Sequence, residues 1–343
     1  MKITRVGVDL AKIVFQVHGV DHSGHAVWKR QLKRSIWLRM LVEKLEPGCE
    51  IGMEACSGAH HWARELKSRG FDVKLIPPQF VKPYVKSQKN DATDAEAICE
   101  AMSRPGMRFV GTKTLEQQDI QALHRVRSAL IGQRTAQANQ IRGLVAEYGL
   151  VAPKQLGPLR KAIPDWLEEA ENGLTDRFRA LLHGLWNAFL HLDERIAELD
   201  QEIDVIANTH PDTKRLKQLQ GVGPLVATAL VARFGDGSHF HRGRQAAASV
   251  GLTPRCHGTG GKNRLMGITK QGDPYLRGIL IHGARSAVSH AHRKEDRLSR
   301  WATELKERSH MNVAAVALAN KTVRVAWAML RNGTDYEPEL AVA

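Results

Sequence analysis

The stretch Ile3-Thr4-Arg5-Val6-Gly7-Val8-Asp9-Leu10 is rich in β-branched residues and closes on Gly7-Val8-Asp9. It reads as a strand with a carboxylate at its end. Residues 13–20 continue in the same way, with Val14 and Phe15 set against Gln16 and His18. Between the two runs of residues 13–20 and 26–31 stands Asp21-His22-Ser23-Gly24, a turn cluster, so a hairpin is expected there. The period then changes: Ile36, Leu38, Leu41, Val42 and Leu45 recur at helical spacing. Residues 50–55 read as a strand and 60–69 as a helix. Residues 71–76 form a further strand, stopped by Pro77-Pro78, which cannot continue a ladder. A hairpin meander followed by strand–helix–strand predicts a mixed α/β sheet over residues 1–110.

The chain has 343 residues, 43% hydrophobic and 25% charged, an ordinary globular composition. Its length predicts about two to three domains. The charge is not ordinary: 50 Lys and Arg against 36 Asp and Glu leave +14. That surplus argues against a freely diffusing metabolic enzyme and for a polyanionic partner, either nucleic acid or an anionic membrane surface. Aromatic residues make up 6%, low for a protein that reads single strands mainly by stacking. No apolar run approaches the roughly 18–20 residues that span a bilayer. The start, with Lys2, Arg5, Asp9 and Lys12, is not a signal peptide. No basic amphipathic helix with an aromatic face suggests a membrane surface, so nucleic acid is the better partner. Cys49, Cys56, Cys99 and Cys256 lack paired metal-ligand spacing and read as free thiols in a reducing cytoplasm.

Residues 111–207 are polar and helical. Leu123, Val126, Leu130, Ile141, Leu144, Val145 and Tyr148 fit one helix face, and Gly149, Pro153, Gly157, Pro158 and Pro164 predict a chain break over 149–165. Farther on, Leu182, Leu185, Phe189, Leu192, Ile196, Leu199, Ile203 and Ile206 alternate spacings of three and four, a heptad seam. It fits a helix packed within its own bundle and equally an antiparallel helical hairpin that dimerises the protein. Residues 208–343 form the third part. Gly221-Val222-Gly223 between apolar helical stretches has the pattern of a helix-hairpin-helix. The turn is either a plain helix–helix connection or one in which Gly221 and Gly223 bring backbone N–H groups to a phosphate. Downstream charge favours the second, because ten Lys and Arg face three acids between residues 251 and 300. Residues 313–330 are Ala-rich and read as a core helix.

Four carboxylates stand out in the first part. Asp9 ends a strand, and Glu54 sits in Ile51-Gly52-Met53-Glu54-Ala55, an apolar strand in which a charge has no packing role. Asp91 and Asp94, in Asn90-Asp91-Ala92-Thr93-Asp94-Ala95-Glu96-Ala97, share one helix face. A buried acid is costly unless paired or metal-bound. Carboxylates gathered from two strand ends and a helix suit Mg²⁺, which prefers oxygen ligands. Two such ions about 3.5–4 Å apart activate an attacking oxygen and stabilise a leaving one in phosphodiester cleavage. Taken singly, Asp91 also fits a helix N-cap and Asp9 a strand-end turn. Together the four predict a metal site, with Glu100 on the solvent side and Glu96 either there or just behind the metal ligands.

Gly7-Val8-Asp9, Met53-Glu54-Ala55-Cys56-Ser57-Gly58 and Lys89-Asn90-Asp91-Ala92-Thr93-Asp94-Ala95 resemble the catalytic motifs of DEDD-type insertion-sequence transposases. That is the IS-one-ten family, and the chain looks like its IS-eleven-eleven branch. Further matches follow in family order: Gly221-Val222-Gly223-Pro224, Ala248-Ser249-Val250-Gly251-Leu252-Thr253-Pro254-Arg255, and the run from Gly260-Gly261-Lys262 to Gly272-Asp273. The resemblance covers nearly the whole chain. It implies a RuvC-like N-terminal domain of RNase H type whose DEDD set (Asp9, Glu54, Asp91, Asp94) binds two Mg²⁺. It implies a coiled-coil middle used in oligomerisation, as a dimer or tetramer. The C-terminal transposase domain would be mainly helical and carry a nucleophilic hydroxyl, typically serine. Donor and target DNA are the implied substrates, with a structured guide RNA from the element delegating sequence choice to base pairing. The expected location is the prokaryotic cytoplasm, at the nucleoid.

One departure matters. Where that family has serine before Gly260-Gly261-Lys262, this chain has His257-Gly258-Thr259. Thr259 is the nearest hydroxyl and can serve as a nucleophile, although it is stiffer at χ1. If the serine position corresponds to Gly258, the nucleophile lies elsewhere. Ser249 is the nearest upstream serine but reads as core. Arg255, Lys262, Arg264 and Lys270 are candidates for a clamp on the scissile phosphate. Two other readings compete: a RuvC-like junction nuclease that cuts without rejoining, and a non-catalytic nucleic-acid scaffold. The scaffold accounts for the charge but not for four aligned acids.

Overall fold

The computed structural model describes residues 2–86, 90–152 and 154–338; Lys89 and Pro153, named above, lie outside the described residues. The chain divides into two compact units, Met1–Thr114 and Leu115–Ala343. The mixed α/β class expected for the first part and the mainly helical class expected for the rest are both observed.

The first unit is built on strands β1 (Arg5–Leu10), β2 (Val14–Val20), β3 (Ala26–Lys33), β4 (Glu50–Glu54) and β5 (Asp72–Ile76), in the order β3-β2-β1-β4-β5. The first three strands are antiparallel, whereas β4 runs parallel to β1 and β5 parallel to β4. Asp21 shapes the turn after β2: its Oδ1 accepts from the N–H groups of Ser23 at 2.9 Å and His25 at 3.0 Å. Helices α1 (Trp37–Lys44), α2 (Ala59–Lys67), α3 (Pro78–Val81) and α4 (Asp91–Met102) complete the unit.

The period of two along β1 and β4 sorts their residues between two faces. Val6, Val8, Ile51 and Met53 are buried on one face with Trp37 and Leu41 of α1 and Trp62 and Leu66 of α2. There Phe15, Trp37 and Trp62 meet edge to face with ring centroids 4.8–5.6 Å apart, worth about 1 kcal/mol per pair beyond the buried area. The opposite face carries Gly7 and Gly52. A Cβ on Gly7 would stand 2.2 Å from the Ala95 carbonyl oxygen, and one on Gly52 would stand 2.8 Å from the Met102 sulfur. The two glycines therefore let α4 lie directly against the sheet backbone.

The second unit begins with α5 (Leu115–Ala146), α6 (Leu156–Glu168) and α7 (Asp176–Thr209). Arg127 pairs with Asp200, Arg134 with Asp193 at 2.7 Å, and Gln137 donates to the Leu185 carbonyl at 3.1 Å. Rising numbers on α5 meet falling numbers on α7, so the two helices form an antiparallel hairpin. The heptad seam packs inside this bundle: Leu182 and Phe189 are buried with Ile141 and Leu159, and Ile203 with Leu123. The break expected over 149–165 is shorter than its proline content suggests. Pro158 falls in the first turn of α6, where its missing N–H is harmless. Pro164 lies inside α6, where burial of Leu159, Ile163 and Trp166 offsets the one lost bond.

The C-terminal core then gathers α8 (Pro211–Leu216), α9 (Pro224–Phe234), α10 (Gly243–Ser249), α11 (Pro274–His290), α12 (Arg297–Arg308) and α13 (Met311–Asn332). By length and composition α13 passes as a membrane span, which no apolar run in the sequence suggested, yet half of its most apolar window is buried in the core. Between α10 and α11 projects an unforeseen ribbon, β6 (Pro254–Thr259) and β7 (Lys262–Ile268). The signal for it was present: Gly260-Gly261 is a two-residue turn pair, with φ of 59° and 79°, the positive values such a hairpin needs.

Gly221 has φ 77° and its backbone abuts Gly283 of α11, where an added Cβ would come within 2.0 Å of the Gly221 oxygen. Alanine is the better helix former by about 1 kcal/mol. Even so, Gly283→Ala is expected to destabilise the chain by about 2 kcal/mol, because two backbones must part. Its urea midpoint checks this, and an unchanged or raised midpoint contradicts the packing.

Candidate functional site

Residue pairs Val6–Ile51, Gly7–Gly52 and Val8–Met53 align β1 with β4, so Asp9 and Glu54 stand one step farther along adjacent strand ends. Both fall on the face of Gly7 and Gly52, the face that α4 covers. Asn90 caps α4, its Oδ1 accepting from the Ala92 N–H at 3.0 Å. Asp91 is therefore not the cap, and its carboxylate belongs to the first turn together with that of Asp94. There the helix N-terminus favours negative charge.

Close seating of α4 on Gly7 carries this first turn to the end of β1. The carboxylates of Asp9, Asp91 and Asp94 each offer an oxygen within 4.8 Å of the others. Glu54 stands outside that triad, on the neighbouring strand. Asp9 and Asp94 are half-buried and Asp91 is exposed. Negative charge pervades the site: the Cys56 thiol is pushed up, first by burial and then by the charges of Glu54 and Asp9. Glu96 and Glu100 are engaged elsewhere, with Lys86 at 3.6 Å and 3.0 Å. Three hard oxygen donors on a half-open strand end form a set suited to a divalent cation with coordination positions left over. The sequence pointed to all three acids. Gly7 and Gly52, which bring them together, carry no such signal in the sequence, because their role lies in how closely α4 approaches the sheet.

In the second unit, Thr259 is exposed at the ribbon tip and pairs across it with Lys262; two residues down, His257 pairs with Arg264. These four share a face, and Cys256, Gly258, Asn263 and Leu265 take the other. Arg255 is exposed on the same ribbon. Ser249 ends α10 half-buried, its hydroxyl donating to the Ala246 carbonyl at 2.8 Å. Lys270 is exposed with φ 56°, a left-handed conformation unusual for lysine. Gly223 is the N-cap residue of α9 with open space around it. His282, His290 and His292 are exposed and enter no metal-ligand group among the described residues.

Comparisons with known proteins point one way. A family model described as "Transposase IS116/IS110/IS902 family" matches residues 213–299, and a DEDD transposase model of IS110 elements matches residues 6–150. A probable family 20 transposase of Pseudomonas aeruginosa is 48% identical over 339 residues, covering 98% of this chain and all of the relative. The transposase for insertion sequence element IS1111A of Coxiella burnetii is 45% identical over 96% of this chain and 90% of its own length. The transposase for insertion sequence element IS1328 of Yersinia enterocolitica is 39% identical over 97% of this chain and 98% of its own.

Proposed function

This chain belongs to the IS110 family of insertion-sequence transposases, enzymes that cleave and rejoin DNA, and we propose that it does so with Mg²⁺, a threonine nucleophile and a guide RNA. The observation that carries the proposal is the convergence of Asp9, Asp91 and Asp94 within 4.8 Å. Glu54, one strand over, supplies the fourth acid of the DEDD set. The sheet order β3-β2-β1-β4-β5, with acids on two adjacent strand ends, supports the RuvC-like reading. When bound, Mg²⁺, taken as two ions, stabilises charge on the attacking and leaving oxygens.

The remaining chemistry belongs to the chain itself. The Thr259 hydroxyl attacks the scissile phosphorus. The Oγ–P bond forms, and the bond to the leaving strand oxygen breaks. The hydroxyl proton passes to solvent while the leaving oxygen takes one up. A strand hydroxyl later attacks the phosphothreonine and reverses the step, which rejoins DNA without an external energy source. Lys262 and Arg264 share the face of Thr259 and hold the non-bridging oxygens, while Arg255 and Lys270 contact the flanking backbone. The Gly221–Gly223 turn offers N–H groups to the backbone of the same nucleic acid. In this reading residues 1–110 hold the metal, 111–207 support a dimer or tetramer and 208–343 carry the nucleophile. Donor and target DNA are selected by a structured RNA, recovered by sequencing what co-purifies with the protein from a host that carries the element.

Trapping on nicked DNA tests the nucleophile. Wild-type protein and Thr259→Ser are expected to form a covalent adduct, and Thr259→Ala to form none. An adduct persisting in Thr259→Ala removes Thr259 from the role. Undiminished cleavage without any adduct replaces the proposal by simple junction cutting.

A further inference from the structure

A cleft of about 680 Å³ opens in the second unit between the first half of α5, the end of α9 and the start of α11. Arg233 of α9 lines it, with His124, Arg125 and Ser128 of α5 and Asp273 and Tyr275 beside α11. Arg233 is anomalous. Its Nε is sealed from solvent and has no hydrogen-bond partner, and the side chain makes no ion pair among the described residues. Burial pushes its pKa below the ordinary arginine value, against the opposing pull of Asp273. Arginine stays protonated regardless, so the half-buried side chain brings to the cleft a positive charge that no hydrogen bond or ion pair engages among the described residues.

The surroundings are otherwise complete. His124 meets the Tyr275 hydroxyl at 2.8 Å and the Thr228 hydroxyl at 2.9 Å. Burial pushes its pKa down to about 4, so it is a neutral prop that fixes Tyr275. Asp273 accepts the Leu276 N–H at 3.0 Å as the cap of α11, where the helix terminus offsets its charge. Arg125 is exposed on the cleft wall formed by α5. Asp273 is committed to that cap and makes no hydrogen bond to Arg233, so the guanidinium fork is left to bind a further anion with several oxygens in bidentate fashion. The size lies within the range of sites for small ligands, and so admits a nucleotide unit rather than a bare ion. The surplus of +14 on the chain makes a polyanion the available source.

We propose that this cleft seats one phosphate of a nucleic-acid strand, with Arg233 as its deep anchor and Arg125 as its outer contact. The assignment rests on the transposase reading and adds a binding position to it, away from any step of the chemistry above. The intact chain is titrated against a fluorescein-labelled oligonucleotide of the element end over a range of KCl. Arg233→Gln is expected to weaken binding about tenfold and to lower the salt slope by about 1. Arg125→Gln is expected to change both in the same direction but less, and Arg233→Lys to keep the slope while losing part of the affinity. If Arg233→Gln does not fold by circular dichroism, Arg125→Gln decides alone.

Unchanged affinity and slope in the folded variants overturn the proposal and leave the transposase reading intact. Failure of the wild-type chain to bind any DNA overturns both. Thymidine monophosphate and inorganic phosphate are the competitors. If they protect wild-type protein equally against heat while the oligonucleotide slopes stay unchanged, the cleft serves free anions and the strand assignment falls.

Discussion

Asp9→Asn is expected to lower the rate of DNA strand cleavage about a thousandfold while the protein stays folded and still binds DNA. The substitution keeps the shape of the side chain and removes one charge from a group of three within 4.8 Å. A bound divalent ion contributes several kcal/mol of transition-state stabilisation, and each 1.36 kcal/mol is a factor of ten. Losing one of three converging carboxylates therefore costs about three orders of magnitude. Without metal the same change relieves like-charge repulsion, on the order of 1 kcal/mol per pair at such distances in water. The thermal midpoint in a chelator should hold or rise, and the midpoint gain on adding MgCl₂ should shrink. A labelled element-end substrate and a melting curve measure both. Cleavage within tenfold of wild type would remove Asp9 from the metal site.

Gly7→Ala is expected to be the most destabilising change in the first unit, about 3 kcal/mol or more by urea denaturation. Alanine normally improves a strand over glycine, so the sign itself is diagnostic. Here the new methyl meets the Ala95 carbonyl oxygen at 2.2 Å, the Cys99 nitrogen at 2.6 Å and the Cys99 Cβ at 2.8 Å. Two of these are backbone atoms that move only if α4 moves. Gly52→Ala meets the flexible end of Met102 instead and should cost about 1 kcal/mol. Displacing α4 also draws Asp91 and Asp94 away from Asp9, so Gly7→Ala should lose cleavage even where it remains folded. Equal stability of the two variants would contradict the close seating of α4.

Local pattern made most of the first unit legible. Turn residues at 21–24, the alternation in β2 and the helical spacing around α1 are short-range signals, each carried by a handful of neighbours. The ribbon at 254–268 is hard to read from sequence because nearly all its residues are exposed on both strands, so no burial alternation marks it. Only Gly260-Gly261 betrayed it. The heptad seam was legible as a seam, but its partner was not: a helix face records that it is covered, not by what. Arg233 gave no signal, since an arginine near a helix end is ordinary until its neighbours are known.

The order of residues by itself determined that acids close strands and open a helix, that a hydroxyl stands before Gly260-Gly261-Lys262, and that the chain carries a surplus of positive charge. Those are properties of single segments, and the chemistry of a side chain travels with it. Tertiary structure alone decided that Asp9 meets Asp91 and Asp94 more closely than Glu54 does, and that Arg233 is left without an acceptor. Both depend on how near two backbones can come. At Gly7 the absence of one methyl sets that distance, and around Arg233 the packing seals Nε without supplying its partner.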